Sequence, residues 1–241
     1  MTIISAALGS VATSRPRSRI RQSLTAAREF FTQHGLSLAE LGLILVWAIF
    51  VGRDFLDMSP NLVPWGAEFS MEIQSHYGWL NLSKCGTCVF WSGLANGGSP
   101  AFVDVNGSFL HPLTVLTTVL WGVVNGSKIT MLTCLFLAGV AQWWLAKTLK
   151  LGVVARLWSS FLAVVGGHLA GRMQNGMLVL VLSTVFASIL IPAILNLTLN
   201  PTRRSALLLG GLFALVLLSG QGYVQVGVVL GVLPAALVYW I

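Results

Sequence analysis

Acidic residues are scarce in this sequence. Its 241 residues include seven Asp and Glu against fourteen Lys and Arg. Most of the acids fall between positions 53 and 112, and they are Asp54, Asp57, Glu68, Glu72 and Asp104. No carboxylate follows Asp104. Acid–base or metal-assisted chemistry that uses a carboxylate must therefore take it from this segment, or from Glu29 or Glu40.

Charged residues of both signs are also few. They make up 9% of the chain, whereas soluble domains average about 25%. Apolar residues reach 56%, and the mean hydropathy is +0.83. This composition excludes an ordinary soluble domain and indicates an integral membrane protein. The net charge of +7 does not indicate nucleic acid binding, because the basic residues form short clusters between apolar runs, as loop charges that set membrane orientation do.

Several catalytic motifs are missing. The sequence has no phosphate-binding loop, no serine-hydrolase elbow, no HExxH zinc motif and no visible inverted repeat. Three cysteines are too few for a disulfide scaffold, and Cys134 lies within an apolar run. Cys85 and Cys88 have the spacing of a redox pair or half a zinc site, but only His76 is close enough in sequence to add a ligand. A local disulfide or two free thiols fits better than a metal.

Residues 1–35 form a basic arm. Arginines follow the first apolar stretch instead of preceding it, which is the wrong order for a cleaved signal peptide. Over 19–33, apolar residues recur at helical spacing beside arginines, which predicts an interfacial helix on the cytoplasmic membrane face. A solvated basic tail is the alternative.

The first apolar run, 36–52, is predicted to be a transmembrane helix opened by a capping box from Ser37 to Glu40. The arginines before it favour a cytoplasmic N-terminus, so the helix should run outward. Residues 53–112 then form an outer, periplasmic loop, rich in aromatics and turn formers, that we expect to fold as a small cap. Trp65, Trp79 and Trp91 should bury against one another or the membrane surface.

A helical bundle is predicted over 113–241. Its apolar runs are 129–146, 153–170, 176–197, 205–219 and 222–241. The run 110–124 is short and contains Pro112, and if it spanned the membrane, Lys147, Lys150, Arg156, Arg203 and Arg204 would fall outside. We therefore expect it to be re-entrant or interfacial. The predicted fold is all-α, with about six transmembrane helices, one partial helix and a folded outer loop after the first helix.

Polar residues cluster in two stretches, each at the outer ends of two neighbouring apolar runs. They are His168, Arg172 and Gln174 in one stretch, and Gln221 and Gln225 in the other. Polar groups at membrane depth are costly, so we expect them to line one outward pocket with the carboxylates of the cap. The alternative is that they only meet interfacial water. The glycines, which include Gly139, Gly166, Gly167, Gly210, Gly211, Gly227 and Gly231, indicate close helix packing.

A family resemblance rests on a longer series of residues. The series is Trp65, Glu68, Gln74, Trp91, Asn96-Gly97-Gly98-Ser99-Pro100, Asn106, His111-Pro112-Leu113, Ser219-Gly220-Gln221-Gly222 and Gln225. Over roughly residues 50–241 the chain resembles the YfhO-like bacterial membrane proteins of the GT-C glycosyltransferase superfamily. The resemblance is moderately specific in the loop and weak in the helices.

This resemblance implies an inverting transfer of sugar from a polyprenyl-phosphate donor at the outer face of the bacterial inner membrane. The general base or metal-site acid would be Glu68, Asp54 or Asp57, with a divalent metal as the cofactor that such a site can use. Arg172 and His168 would hold the donor phosphate, since Arg pairs with phosphate oxygens in a fork.

A second expectation follows from two departures from the family. Members are usually longer, and Gly66-Ala67-Glu68 stands where an aspartate is expected. The chain would then be a non-catalytic integral subunit of a larger membrane complex, derived from a shortened GT-C fold. Such a subunit would turn an apolar face that includes Trp143, Trp144 and Trp158 toward partner helices or lipid, although an interfacial aromatic belt explains the same tryptophans.

Overall fold

A computed structural model describes residues 35–93, 97–101 and 107–240. The basic arm and its predicted helix over 19–33 lie outside these residues, as does Asp104. The chain divides into two compact units, Met1–Leu41 and Gly42–Ile241. In the first, the described residues belong to the start of one helix. The second contains everything that follows.

The described chain is mostly helical. Helix α1 covers Gly35–Val51, so it includes two residues before Ser37, and the predicted capping box lies inside the helix. Short helices α2, α3 and α4 fold the cap, and α5 to α10 form the bundle. The cap helices are α2 (Phe69–Glu72), α3 (Gln74–Leu80) and α4 (Leu82–Cys85). The bundle helices are α5 (Pro112–Thr148), α6 (Val153–Val164), α7 (Gly167–Gln174), α8 (Leu178–Leu199), α9 (Arg203–Leu218) and α10 (Gly222–Trp240). Two antiparallel two-residue strands, β1 (Trp91–Ser92) and β2 (Ser99–Pro100), complete the cap.

Helix α5 is two helices joined at Gly122. Gly122 has φ 78° and ψ −174°, a conformation that glycine adopts without steric cost. The Thr117 and Thr130 hydroxyls lie 2.9 Å apart, whereas thirteen residues of straight helix would separate them by about 20 Å. Residues 112–121 therefore fold back along 123–148 as a helical hairpin. At about 1.5 Å per residue the short arm is roughly 15 Å long, half the thickness of a bilayer core.

Among the described residues, three helical stretches are long and apolar enough to cross a membrane: Pro112–Thr148, Val153–Gln174 and Leu178–Leu199. The second contains a break between α6 and α7. Helix α1 is a shorter apolar helix, and α9 has 16 residues, about 24 Å. By length and composition, the structure therefore has fewer spans than the six predicted.

The core lies between α5 and α8. It includes the fully buried Cys134, Leu178 and Leu182 and the nearly buried Met131 and Leu190. On the other side of α5, the unit-two part of α1 packs closely, since a Cβ on Gly139 would lie 2.5 Å from Ile44. The prediction of close packing therefore fits Gly139. Among the described residues it finds no support at Gly167, Gly210, Gly211, Gly227 and Gly231, where a Cβ would meet nothing within 4 Å.

The cap is folded, but its tryptophans are not all buried. Trp79 stacks on Phe109 at 4.9 Å and donates its indole N–H to the Phe109 carbonyl at 2.8 Å. Trp65 is 86% exposed and Trp91 is 53% exposed, so these two do not bury against one another, and their contact with the membrane surface stays a prediction. The β1–β2 turn brings Trp91 against Gly98 at the surface. Cys85 is in a disulfide, one of the two alternatives that its spacing left open.

Within the second unit the helix termini form two groups. Connections of a few residues make α5 and α6, and α8 and α9, run antiparallel. The Glu72 carboxylate accepts the N–H of Val179 at 2.7 Å, so the cap lies at the end where α8 begins. We call this the cap end. The opposite end, where 149–152 and 200–202 connect the helices, is called the basic end.

Candidate functional site

The acidic residues just after α1 are exposed. Asp54 lies in a 3-10 turn, Arg53–Leu56, with its side chain 94% exposed and 4.0 Å from Arg53. The Asp57 carboxylate accepts the backbone N–H of Ser59 at 2.9 Å, which closes a local turn. Asp54 is therefore available to solvent, whereas the Asp57 carboxylate shapes its own backbone.

A polar clamp fixes this segment to α5. Lys128, 2% exposed, donates its ammonium to the carbonyls of Asp57 and Ser59, the latter at 2.9 Å. Asn125 donates its amide to the Met58 carbonyl at 2.7 Å. A buried ammonium needs hydrogen-bond acceptors, and the carbonyls of Asp57 and Ser59 supply two of them here. Lys128 lies between the predicted apolar runs 110–124 and 129–146, and no signal in the sequence indicated this clamp.

Glu68 lies on a second segment, which contacts the turn between α7 and α8. Its backbone N–H donates to the Asn175 carbonyl at 3.0 Å. A Cβ on Gly66 would lie 2.5 Å from the backbone of Gly176, which itself has φ 77°. Two glycines therefore allow the cap backbone to touch this turn. The side chain of Glu68 is half-buried.

Three predicted ligand residues lie just before the same turn. Arg172 is half-buried and donates Nη1 to the Met177 sulfur at 3.2 Å, while His168 and Gln174 are exposed. The Met177 thioether is a weak acceptor, so the guanidinium keeps most of its hydrogen-bonding capacity. The contact between Glu68 and Asn175 thus brings one predicted acid to the stretch that carries Arg172.

The second polar stretch contacts the cap at a different place. A Cβ on Gly220, φ 98°, would lie 2.4 Å from Gly107. Gln221 is buried, and its backbone N–H donates to the Ser183 hydroxyl at 3.3 Å. Gln225 donates its amide to the Leu217 carbonyl. Both polar stretches therefore touch the cap, but the Gln225 amide is bonded to the end of α9, and the backbone N–H of Gln221 is bonded to Ser183 of α8.

Sequence reasoning missed a buried polar cluster beneath the cap. It joins α3, the loop before α5 and both arms of α5. It consists of Ser75, His76, Ser108, His111, Thr114, Thr117, Thr118 and Thr130. Its side-chain contacts include Ser108 with Thr114 at 3.1 Å and His76 Nδ1 with Thr118 at 2.6 Å. The available signal was the high density of Ser, Thr and His over 108–118.

The two histidines in this cluster have opposite tautomers. Thr118 donates its one hydroxyl proton to the Thr114 carbonyl at 2.7 Å, so His76 Nδ1 carries the proton that joins His76 to Thr118. His111 Nδ1 accepts the N–H of Leu113 at 3.2 Å, so its proton is on Nε2. Among the described residues neither Nε2 atom has a hydrogen-bond partner. Burial lowers the pKa of His76 to about 4, which keeps its ring neutral.

No protein-family model matches the chain, and no curated protein or solved structure shows a significant similarity to it.

In residues 35–93, 97–101 and 107–240, no group of three or more His, Cys, Asp and Glu side chains is arranged to hold a metal ion. What the described part offers is a half-buried carboxylate on Glu68, a guanidinium on Arg172 and exposed polar groups at His168 and Gln174. This set suits proton abstraction beside a bound anion.

Proposed function

We propose that this chain is a GT-C-like membrane protein of the YfhO-like group that transfers a sugar from a polyprenyl-phosphate donor at the outer membrane face. The observation that carries the proposal is the bond between the Glu68 N–H and the Asn175 carbonyl, with the close approach of Gly66 to Gly176. It brings the Glu68 segment to the stretch that carries Arg172. A base and a phosphate-binding group are the two elements that such a transfer needs.

The proposed topology places this site at a lipid surface. The N-terminus is cytoplasmic, the chain crosses the bacterial inner membrane about six times, and the cap faces outward. Two observations support this orientation. The disulfide at Cys85 is typical of an oxidising compartment, and Lys150, Arg203 and Arg204 lie at the opposite end of the bundle from the cap.

In the proposed reaction Glu68 accepts the proton of the acceptor hydroxyl. The oxygen attacks the anomeric carbon, the bond from that carbon to the phosphate oxygen breaks, and polyprenyl phosphate leaves with the bonding electrons. Arg172 stabilises the departing phosphate through two parallel N–H donors. His168 is exposed four residues earlier on the same helix, and in this proposal it adds a contact to the donor.

The direct test is sugar transfer by purified protein. Glu68→Gln should lower kcat by roughly 100-fold or more, because general-base catalysis contributes about that factor. Arg172→Gln should raise KM for the polyprenyl-phosphate donor as well as lower kcat. Asp54→Asn is the matched control: it removes an exposed carboxylate from the same cap, and full activity is expected. Full activity of Glu68→Gln would exclude the proposed role.

A second candidate, a non-catalytic subunit, is favoured by the open glycine face of α10. Gly227 and Gly231 are one helical turn apart, and a Cβ on either would meet nothing within 4 Å. Glycines at this spacing allow close approach of a second transmembrane helix. Purification in mild detergent separates the candidates: a subunit co-purifies with other proteins at fixed stoichiometry, whereas a homogeneous particle containing this chain alone eliminates the subunit.

A further inference from the structure

The N-terminus of α8 is buried and receives its cap from another element. Leu178 and Val179 are 0% exposed, so water does not reach the first N–H groups of this helix. Met177, the residue before the helix, makes no side-chain cap hydrogen bond. Instead, the Glu72 carboxylate at the end of α2 accepts the Val179 N–H at 2.7 Å. Val179 is the second residue of α8, where a capping side chain usually accepts, so Glu72 takes the role of the N-cap side chain.

The turn that leads into α8 is closed by its own backbone. The Met177 N–H donates to the Arg172 carbonyl at 3.0 Å, and the Gly176 N–H donates to the Met173 carbonyl at 3.0 Å. These are the two bonds of a Schellman motif, and Gly176, with φ 77°, occupies its left-handed position. The backbone of Arg172 is therefore bonded two residues before the N–H that Glu72 accepts.

On the cap side, Glu72 is joined to Glu68 within one helical turn. The Glu72 N–H donates to the Glu68 carbonyl at 3.0 Å, and the Glu68 N–H donates to the Asn175 carbonyl at 3.0 Å. Two hydrogen bonds therefore attach the Glu68 segment to the chain that follows Arg172. The bond to Asn175 uses backbone atoms alone, whereas the bond to Val179 depends on the side chain of Glu72.

The length and the charge of Glu72 both suit this position. Helix α2 has only four residues, too few to be stable alone, so its placement depends on contacts with other elements. A glutamate reaches the Val179 N–H, and an aspartate is one methylene shorter. The negative charge also lies at the positive end of the α8 dipole.

We propose that Glu72 is a positioning residue, which holds α2 and the adjoining Glu68 against the turn after Arg172 through the N-terminus of α8. This inference rests on the proposed function, in which Glu68 is the base and Arg172 binds the donor phosphate. Glu72 acts through Glu68 and exchanges no proton with the substrate. Position matters because a displacement of about 1 Å in such a site can lower the rate about 100-fold.

Three substitutions at Glu72 separate reach from charge in a sugar-transfer assay. Glu72→Gln keeps the length and an acceptor oxygen, so kcat should fall by no more than about threefold, from the lost charge at the helix dipole. Glu72→Asp keeps the charge but not the reach, and kcat should fall about 10-fold or more. Glu72→Leu removes the acceptor, and kcat should fall about 100-fold. The KM for the donor should stay within about twofold of wild type, because Arg172 lies on α7.

A carboxylate that took part in the chemistry would give the reverse order, with Glu72→Asp more active than Glu72→Gln. That order overturns the proposal. The comparison of these two variants also keeps the test decisive if Glu72→Leu does not fold.

A distance measurement tests the positioning without any activity. Spin labels at Met71→Cys on α2 and Ala170→Cys on α7 occupy two exposed positions. Cys134 is buried and Cys85 is in a disulfide, so neither takes up label. The distribution of distances between the labels should broaden or shift with Glu72→Asp and Glu72→Leu, and it should match that of wild type with Glu72→Gln.

Ser70→Ala is the matched control, because it removes a side-chain oxygen from an exposed position of the same helix. It should change neither kcat nor the distances. Unchanged distances in both Glu72→Asp and Glu72→Leu overturn the proposal, and so do changed distances with undiminished kcat. A wild type that transfers no sugar contradicts the proposed function, and the distances then still decide whether Glu72 holds α2 in place.

Discussion

His76 shows how burial sets the charge of one side chain in the cap. Its ring is fully buried, and desolvation lowers its pKa from 6.5 to about 4. The unfolded chain therefore binds a proton below pH 6.5 that the folded chain binds only near pH 4. The contribution of the neutral His76 ring to the free energy of unfolding is fully present above pH 6.5 and is lost as the pH falls to 4.

We expect the His76→Gln variant to reveal this proton linkage. Glutamine stays neutral and can still donate to Thr118. The free energy of unfolding of wild type should fall relative to the variant by about 3 kcal/mol between pH 6.5 and 4. Thermal unfolding in detergent across this range measures the difference. Parallel curves for the two proteins would contradict a neutral buried ring.

Lys150 has φ 57°, a left-handed backbone conformation, and we expect one of its substitutions to stabilise the protein. A left-handed backbone costs about 1–2 kcal/mol for an ordinary residue and nothing steric for glycine. Lys150→Gly should therefore stabilise the protein by about 1 kcal/mol, and Lys150→Ala, which keeps the Cβ, should not. Comparing the melting temperatures of the two variants isolates the backbone effect, because both lose the charge.

At the scale of elements, the hairpin at Gly122 is the feature most open to a direct test. Thr117→Cys with Thr130→Cys should form a disulfide under mild oxidation, because the two hydroxyls lie 2.9 Å apart. Leu116→Cys with Thr130→Cys is the control, since Leu116 is 56% exposed. Peptide mass spectrometry identifies the linked pair. A straight α5 would give no link in either variant.

The helices could be predicted because long apolar runs in the sequence indicate them directly. Helix α8, Leu178–Leu199, falls within two residues of the predicted run 176–197. The hairpin could be predicted only as a short element. Gly122 is one of many glycines, and no local pattern distinguishes a chain reversal from a packing contact.

The candidate site was only partly predictable. The approach of Glu68 to Asn175 depends on the close contact between Gly66 and Gly176, which are 110 positions apart in sequence. The buried cluster was missed because His76 was considered only beside Cys85 and Cys88, and only the fold gathers Ser75, Ser108 and Thr118 around His76 and His111.

At the scale of the whole molecule, orientation in the membrane is the property that decides which proposals stand. A single cysteine introduced at Lys150 should react with a membrane-impermeant maleimide only after the cells are opened, whereas one introduced at Asp54 should react in intact cells. Cys134 is buried and should not contribute labelling. Reaction at position 150 in intact cells would reverse the topology and remove the site from the outer face.

The contact between Gly107 and Gly220 has a consequence for biogenesis. The loop that leads into α5 is held by a residue synthesised 113 positions later. At about 5–20 residues per second, the ribosome needs roughly 6–23 s to supply that residue. During this interval the polar residues of 107–111 have no completed bundle to enter. We therefore expect that a ribosome stalled before α9 leaves that segment open to proteases and membrane-quality-control enzymes.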